Sequence, residues 1–345
     1  MKFDRFIETL SWARKNGVTT TTEMIFGFPG ETLDSYLNGI ETLMRAGVDR
    51  IQSYNLKLLS GIDMSTQKAR TQQNYKIMYR LPERCYGVYG GKVVSEAEQI
   101  IVSSKSFTFE DYQIVRKYGL FLELAYGSGY LSELIQVLMR LGHPGEKLIK
   151  YLSEHDFSQF PNMQAVVQEY QNRSQTELFD TVEKCENFLQ RVVSTGEHVP
   201  EVKLNMIFTG RMILDSNVRR EFIMVVRSFI SEHVRSNKEM KFFEDYLTNI
   251  LERKIVTFAA DEPLVTTSQT YVRVEALALG EYKSVNDLLT DVPMDITLTL
   301  PNVAAKFIQT SPISNTQDEA LLQDVYMNNS DLGLTRALHV RENEA

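Results

Sequence analysis

Hydrophobic positions in the first third of the chain alternate between helical and strand spacing. Apolar side chains at helical spacing predict a helix over residues 3–16, which an Asn-Gly pair ends. Residues 20–26 are short, apolar and β-branched, which is typical of a strand, and glycine and proline in 27–32 break regular structure. A second helical stripe follows on Leu33, Tyr36, Leu37, Ile40, Leu43 and Met44. With a further strand over 49–56, this order predicts a βαβ unit with two parallel strands.

The remaining pattern predicts a helical middle and a mixed tail. We expect a helix over 64–80, strands over 88–94 and 99–103, and helices through most of 109–254. Strand-like segments return in the tail at 270–277 and 296–300. These changes of pattern divide the chain into three predicted domains, which are 1–105, 106–254 and 255–345.

Composition narrows the classes of protein to consider. Lys and Arg total 37 against 45 for Asp and Glu, a formal net charge of −8. This balance disfavours a nucleic-acid-coating protein, which normally needs a basic surface. Two cysteines are too few for a disulfide framework, so a reducing, cytoplasmic setting is expected. No apolar run approaches the ~20 residues of a membrane span, and no membrane partner is expected.

The most informative motif is GFPGET at residues 27–32, placed between a predicted strand and a predicted helix. Together with Ile25 before it, this string resembles the I-x-G-F-P-G-E-T turn that ends the fifth strand of a radical S-adenosylmethionine (SAM) enzyme barrel. Residues 3–65 carry most of the resemblance. The later stretch YRLPERCYGVYGGKVVSEAEQIIVSS resembles the segment after the barrel in members that also carry a cobalamin-binding domain. The resemblance implies an α/β partial (βα) barrel, the C-terminal half of a radical SAM barrel, followed by a mainly α-helical domain and a small mixed tail.

The resemblance also implies cofactors that this chain cannot hold alone. Radical SAM enzymes bind a 4Fe–4S cluster through three cysteines in C-x3-C-x2-C, and thiolates are the ligands such clusters require. This chain has only Cys85 and Cys185. We therefore expect a C-terminal fragment of an enzyme that cleaves SAM reductively or transfers a methyl group with cobalamin. Its missing N-terminal half, or a complementary chain, would supply the cluster.

Two other classes of function remain open at this stage. One is a non-catalytic remnant or binding module that retains the half-barrel without a cluster. The other is a generic α/β ligand-binding protein in which the GFPGET turn is a coincidence. For the enzyme, the resemblance implies a small-molecule or metabolite substrate, which no motif identifies.

Five residues are predicted to contact the cofactor on the basis of the resemblance. The backbone around Ile25 and Gly27 matches the segment that packs on the adenine of SAM, although a buried strand end explains Ile25 equally well. Glu31 begins the second helix, where a carboxylate also interacts favourably with the helix dipole. Tyr54 and Asn55 end the next strand, on the barrel face where ligands bind, and the amide of Asn55 can both donate and accept hydrogen bonds.

Further candidates follow the barrel segment. Arg80, Arg84, Tyr86 and Tyr89 form a basic and aromatic cluster that fits an anionic substrate, with a solvated loop as the alternative. Glu96 and Glu98 are spaced as an acid/base pair, with exposed strand charges as the alternative. No histidine spacing typical of a metal site is present.

Overall fold

The computed structural model divides the chain into two compact units. Unit 1 comprises Met1–Glu123 and Gln164–Phe208, and unit 2 comprises Leu124–Met163 and Thr209–Ala345. The residues described are 3–82, 86–195, 203–280, 282–300, 302–314, 317–319, 322 and 337–340. Each unit therefore combines two separate stretches of the chain.

The described residues form a mainly helical α/β structure with small sheets. The helices are α1 Phe3–Lys15, α2 Leu33–Ala46, α3 Gln67–Gln73, α4 Phe109–Leu122, α5 Ser132–Arg140, α6 Leu148–Glu154, α7 Pro161–Thr176, α8 Val182–Thr195, α9 Leu204–Leu214, α10 Ser216–His233, α11 Asn237–Asp245, α12 Glu252–Lys254, α13 Val274–Leu279, α14 Val285–Leu288 and α15 Asn302–Thr310. The strands are β1 Thr21–Phe26, β2 Arg50–Asn55, β3 Lys76–Arg80, β4 Tyr86–Tyr89, β5 Lys92–Ser95, β6 Glu98–Ser103, β7 Val265–Val272, β8 Leu289–Thr299 and β9 Ala337–Val340.

In unit 1, α1 is followed by the predicted βαβ unit, and its parallel pairing is confirmed. β1 and β2 run parallel in a register that joins Thr21 to Arg50 and Phe26 to Asn55. Between them, α2 buries the apolar side chains that the helical stripe predicted, Tyr36, Leu37, Ile40 and Met44. Gly47 ends α2 in the left-handed conformation, which glycine adopts at little cost.

After β2 the chain joins an antiparallel pair of strands. The N–H of Leu58 donates to the C=O of Gln99 at 2.8 Å, and the N–H of Ile101 donates to the C=O of Leu56 at 3.2 Å. β6 in turn pairs with β3 in antiparallel orientation. The segment after β2 therefore continues into a sheet formed with residues about forty positions later in the chain.

The predicted helix over 64–80 is wrong in its second half, and two other predictions need correction. Helix α3 stops at Asn74, which lies at φ 54°, and β3 then pairs with the distant β6. The predicted strand over 88–94 is a hairpin of β4 and β5, because Gly90 and Gly91 have positive φ and turn the chain. The strand predicted over 270–277 ends at Val272 and is followed by α13.

Helix α4 packs against β2 in unit 1. Gly119 on α4 faces Ser53, and a Cβ added at Gly119 would lie 3.5 Å from the Ser53 hydroxyl oxygen. A Cβ at this distance would be in ordinary van der Waals contact, so Gly119 marks the point at which α4 meets β2. This approach brings the preceding turn of α4, with Val115 and Arg116, to the carboxyl end of β2.

Unit 2 combines helices with one antiparallel sheet. Helix α10 buries an apolar face that includes Phe222, Val226 and Phe229, and the sheet has the order β7-β8-β9. The strand predicted at 296–300 lies within β8 except for its last residue. The predicted helical content of 109–254 is confirmed over most of its described length.

The predicted fold class and domains stay predictions. The described residues contain no closed barrel, and the parallel β1–β2 pair is compatible with a partial one. Compact units of packing are not by themselves independently folding domains, so the boundaries at 105 and 254 are not tested by the division into two units.

Candidate functional site

The turn between β1 and α2 is held by backbone conformation and by one carboxylate. Gly27 has φ +118° and Gly30 has φ +84°, values that glycine adopts without steric cost. A Cβ added at Gly27 would lie 3.2 Å from the Cβ of Leu56, so a side chain at this position would also be crowded. The N–H of Gly27 donates to the Glu31 carboxylate at 2.7 Å. A side chain of the turn therefore accepts a hydrogen bond from a backbone N–H of the same turn.

The first turn of α2 has its own cap beside Glu31. The N–H of Ser35 donates to the Thr32 hydroxyl at 3.2 Å, and the N–H of Thr32 donates to the Ser35 hydroxyl at 2.9 Å. This capping box satisfies two of the backbone donors that a helix start leaves open. Glu31 thus has a structural partner within the turn, and its contact with a ligand stays a prediction.

The β1–β2 pair has one face covered by α2 and one open face. The Phe26 and Tyr36 ring centroids are 5.1 Å apart, and the Tyr36 hydroxyl donates to the Met24 C=O at 3.3 Å. Because side chains alternate along a strand, Ile25 points to the opposite face. Ile25 is in register with Tyr54 and is 36% exposed. Two of the five predicted cofactor-binding residues therefore share the open face.

Tyr54 is already engaged by polar neighbours on this face. Its hydroxyl donates to the Gln52 side-chain oxygen at 2.6 Å. The Lys203 ammonium lies 3.8 Å from the centroid of its ring, a cation–π contact. The open face thus presents an aromatic ring with a cation beside it.

Asn55 follows Tyr54 but belongs to the other side of the strand pair. It is in register with Phe26, whose ring packs on α2. The side-chain nitrogen of Asn55 is buried and has no hydrogen-bond partner among the described residues. An unsatisfied buried donor costs about 1–3 kcal/mol, so this amide is a candidate for ligand binding.

A small cavity of about 50 Å³ lies beside Asn55, entirely within unit 1. It is lined by Ser53, Tyr54, Asn55, Lys57, Arg80, Val115, Arg116, Gly119, Tyr170, Glu177, Lys203, Leu204 and Asn205. The lining is dominated by polar and cationic side chains. The cavity is therefore suited to a polar group and too small for a whole nucleoside, since drug-sized ligands occupy roughly 300–1,000 Å³.

A buried network of charged side chains forms one wall of the cavity. The Arg80 guanidinium lies 3.1 Å from the Glu98 carboxylate and 3.4 Å from that of Glu177. The Arg116 guanidinium lies 2.7 Å from the same Glu177 oxygen, and Lys57 contacts Glu98. Both arginine side chains are only 13% exposed. Glu98, predicted as half of an acid/base pair with Glu96, is thus an ion-pair partner.

Burial and neighbouring charges determine the protonation of this wall. Burial alone would lower the pKa of Arg80, but the field of Glu177 and Glu98 outweighs it and holds the pKa above its usual value. Burial raises the pKa of Tyr170 to about 12. The arginine therefore stays charged and the tyrosine neutral at physiological pH.

Glu123 is a further carboxylate close to this region in unit 1. Burial raises its pKa, while the fields of Lys203 and Arg50 lower it. A carboxyl group with a raised pKa is a recognised feature of functional sites. Lys203, the cation that lowers this pKa most, also lines the cavity and lies against the Tyr54 ring.

The residues present do not fit a 4Fe–4S cluster. Such a cluster needs three cysteine thiolates from its motif, and the whole chain has two cysteines. Cys185 is buried and Cys85 lies outside the described residues. Burial, with the charge of Glu186, raises the pKa of Cys185 to about 11, so it is a poor thiolate donor. The described residues also contain no group of three His, Cys, Asp or Glu side chains arranged for a metal ion.

The predicted contacts of Tyr54, Asn55 and Arg80 with a cofactor or substrate stay predictions. Sequence reasoning selected these three residues, and all of them line the cavity. It placed Arg80 with Tyr86 and Tyr89, but those tyrosines are exposed on the β4–β5 hairpin, and Arg84 lies outside the described residues. Arg116, Glu177 and Lys203 were missed, because their only sequence signal is a lone charge within or beside a helical pattern.

Comparison with known proteins adds no family assignment. No protein-family model matches the chain, and no curated protein matches it. In the part of the chain that the structure describes, no helix has the length and apolar character needed to cross a membrane.

Proposed function

We propose that this chain is part of a radical SAM enzyme in which the open face of the β1–β2 pair forms one wall of the SAM cavity. The observation that carries the proposal is the parallel β1–α2–β2 unit with the GFPGET turn at its centre and Ile25 and Tyr54 side by side on the uncovered face. A strand pair inside a barrel has helices on its outer side only. The position of α2 on one face of the β1–β2 pair, with Ile25 and Tyr54 on the other, supports the proposal.

The unpaired outer edge of β1 supports the proposal that an additional polypeptide pairs with this strand. Among the described residues, β2 is the sole strand neighbour of β1. The C=O groups of Thr20 and Phe26 accept hydrogen bonds from the β2 side, so alternation directs the backbone groups of Glu23 and Ile25 outward. Such unpaired edges are normally covered. We assign this edge to the earlier strands of the barrel, which would also bring the three cluster cysteines.

Each residue on the open face has a role in the proposed cavity. Ile25 offers an apolar surface to the adenine ring, and Gly27 allows the ligand to approach the backbone closely. The side chains of Tyr54 and Gln52 offer polar atoms to the ribose. Glu31 holds the turn that positions Gly27 through its 2.7 Å hydrogen bond. Cobalamin has no residue assigned to it in this chain.

The test uses the full chain and any polypeptide that is encoded with it and carries C-x3-C-x2-C. The two are co-purified anaerobically after reconstitution with iron and sulfide, and SAM binding is measured by equilibrium dialysis. We expect binding to the assembly, and a loss of about tenfold or more in affinity for Ile25→Lys, which places a charge against the adenine. Val292→Lys is the control, because Val292 is 70% exposed in unit 2.

Two results would contradict this function. One is that no such polypeptide is encoded with the chain or associates with it. The other is that SAM binds the assembly with the same affinity after Ile25→Lys as before it. In the second case the open face would not be part of the SAM cavity.

A non-catalytic binding module is the second candidate, and the cysteine count favours it. Two cysteines in 345 residues exclude cluster binding by this chain alone. The discriminating result is ligand binding by the purified chain without any cysteine-bearing partner. In that case the half-barrel would function without redox chemistry.

A further inference from the structure

A cavity in unit 2 carries an inference that does not depend on the proposed SAM cavity. Its volume is about 360 Å³. It lies between the first turns of α10 and a helical segment that begins as a π-helical turn, Tyr246–Leu251, and continues as α12. We propose that this cavity binds the phosphate group of a small phosphorylated molecule through Arg219, Arg220 and Arg253.

Helix α10 contributes one wall of the cavity through a single face. The lining residues on this helix are Ser216, Arg219, Arg220 and Ile223. Their spacing of i, i+3, i+4 and i+7 places them on one side of a helix. Two backbone N–H groups at the start of α10 already donate to the Asp215 carboxylate that caps the helix. The wall therefore acts through its side chains and not through the helix N-terminus.

The second wall depends on the π-helical turn. Thr248, Glu252 and Arg253 line the cavity, so the last two follow Thr248 by four and by five positions. In an α-helix the fifth residue along lies about 140° around the axis from the first. The i→i+5 pattern of a π-helix brings such residues together, and π-helical turns are frequent at functional sites. The local departure from α-helical geometry therefore brings Arg253 to the cavity.

The three lining arginines form no ion pair in the part of the chain that the structure describes. The cations next to them on the same helical segments are paired. The Arg227 guanidinium lies 3.1 Å from the Glu244 carboxylate, and the Lys254 ammonium lies 2.7 Å from that of Glu133. Pairing with a carboxylate thus occurs beside the cavity but not among the arginines that line it.

The charge of the lining matches a phosphate dianion. Among the described lining residues Glu252 is the one acid. Three guanidinium groups against one carboxylate leave an excess of two positive charges. A phosphate monoester carries about −1.5 to −2 charges at pH 7, and the planar donor fork of arginine suits phosphate oxygens. A singly charged carboxylate would leave part of the excess uncompensated.

The arginines differ in how far they are fixed before a ligand binds. The Arg219 guanidinium donates to the C=O groups of Ile213 and Leu214, the latter at 3.4 Å, and Arg219 is half-buried. These neutral acceptors position the side chain, which reduces the cost of ordering it on binding. Arg220 and Arg253 are exposed, so a ligand from solution reaches them directly.

The size of the cavity leaves room for more than a phosphate group. Small-molecule pockets occupy roughly 300–1,000 Å³, and about 360 Å³ falls in this range. The Thr248 hydroxyl accepts a hydrogen bond from Arg227 at 3.0 Å and keeps its own O–H as a donor. With the hydroxyl of Ser216 and the apolar side chain of Ile223, it offers contacts to the rest of the ligand.

The test is titration of the full purified chain with inorganic phosphate and with ribose 5-phosphate, measured by calorimetry and by the shift in melting temperature. Sodium chloride at equal ionic strength and unphosphorylated ribose are the references. We expect saturable binding of ribose 5-phosphate, at least as tight as that of inorganic phosphate, and a rise in melting temperature that neither reference produces. Arg220→Gln and Arg253→Gln should each weaken binding about threefold to tenfold. Both side chains are exposed, so both variants should fold.

Two further variants control for charge alone. Arg235→Gln removes an exposed arginine of unit 2 that lies outside the lining and donates to the C=O of Ser231 at 3.1 Å, so it should leave binding unchanged. Glu252→Gln removes the negative charge from the lining and should strengthen binding several-fold. A residue with a purely structural role would not improve binding when it is replaced.

Three outcomes would overturn the proposal. The first is that ribose 5-phosphate has no effect beyond those of chloride and ribose. The second is saturable binding of inorganic phosphate without binding of ribose 5-phosphate, which would assign the cavity to a free anion. The third is unchanged affinity in folded Arg220→Gln, Arg253→Gln and Glu252→Gln, which would place the ligand elsewhere. None of these outcomes bears on SAM binding in unit 1, which Ile25→Lys tests separately.

Discussion

At the scale of single residues, Gly27 and Gly30 differ in their surroundings although both lie in one turn with positive φ. A Cβ at Gly30 would meet no atom within 4 Å, whereas a Cβ at Gly27 would meet Leu56 at 3.2 Å and Phe107 at 3.5 Å. Gly30→Ala should lower the free energy of unfolding by about 1–2 kcal/mol, the cost of left-handed backbone. Gly27→Ala should lower it by about 3 kcal/mol, because overpacking is added. Urea denaturation measures the free energy of unfolding of both variants. Equal losses of this free energy would contradict the predicted steric crowding at Gly27.

Cys185 gives a prediction about pH. Burial, with the charge of Glu186, raises its pKa to about 11, and a free thiol ionises near 8.5. In a Cys85→Ser variant, a disulfide reagent at pH 8 should therefore react about 100-fold more slowly with the folded than with the urea-unfolded chain, since each pKa unit is a tenfold change in thiolate. The folded rate should keep rising between pH 7 and 9, where the unfolded rate begins to level off.

The sign of the stability effect follows from the same shift. Below pH 8.5 the thiol is neutral in both states and the folded state loses nothing. Between about 8.5 and 11 the unfolded chain releases the proton while the folded chain retains it, so stability falls as pH rises. In a Cys185→Ala variant, this contribution to the fall in the free energy of unfolding with rising pH should be absent. A folded-state reaction rate equal to the unfolded rate at pH 8 would contradict the burial of the thiol.

The candidate site shows how far single residues can be predicted. Tyr54 and Asn55 were selected because they end a strand of a predicted βα unit, and both line the cavity. Their placement on opposite faces follows from alternation alone. Arg116 and Lys203 could not be predicted from the sequence. Arg116 lies near β2 because α4 packs on that strand, and Lys203 lies there because the chain before α9 passes the cavity. Such long-range neighbours have no local pattern.

At the scale of elements, Asn74 marks the largest error in the predicted secondary structure. Residues 64–80 have apolar positions that suit one helix, but α3 ends where Asn74 adopts φ 54°. The five residues of β3, Lys76–Arg80, gain partners that the local pattern cannot reveal. They pair with β6, and Tyr79 also forms a bridge to Phe179. Tertiary pairing thus overrides a helical pattern when its partner lies far away in sequence.

The cap at Asn74 can be tested directly. Asn74→Val should lower the free energy of unfolding by about 1–2 kcal/mol, because a β-branched residue adopts the left-handed conformation poorly. Asn74→Gly should leave stability equal or higher, since glycine is the usual residue at this position. Gln72→Val within α3 controls for the lower helix propensity of valine and should cost less. Urea denaturation measures the free energy of unfolding of each variant. Equal losses of this free energy for Asn74→Val and Gln72→Val would refute the role of the cap.

At the scale of the whole molecule, the open face and outer edge of β1 would bind further strands in an assembly. In the isolated chain the same surfaces would promote self-association. Ile25 is exposed next to backbone groups that no described strand pairs. Exposed apolar strands with free edges tend to pair with other chains. The same features that would receive earlier barrel strands in an enzyme should therefore promote association of the chain with itself.

We accordingly expect the purified chain to self-associate, as measured by light scattering after size exclusion. Glu23→Pro should increase the monomer fraction, because residue 23 directs its N–H to the outer edge and proline removes that donor. Thr22→Pro is the matched control: it removes a donor directed at β2, so it should lower the melting temperature and not restore the monomer. A wild-type chain that is monodisperse and melts cooperatively as a monomer would show that the edge of β1 needs no partner, and it would remove the main structural support for a barrel completed by additional polypeptide.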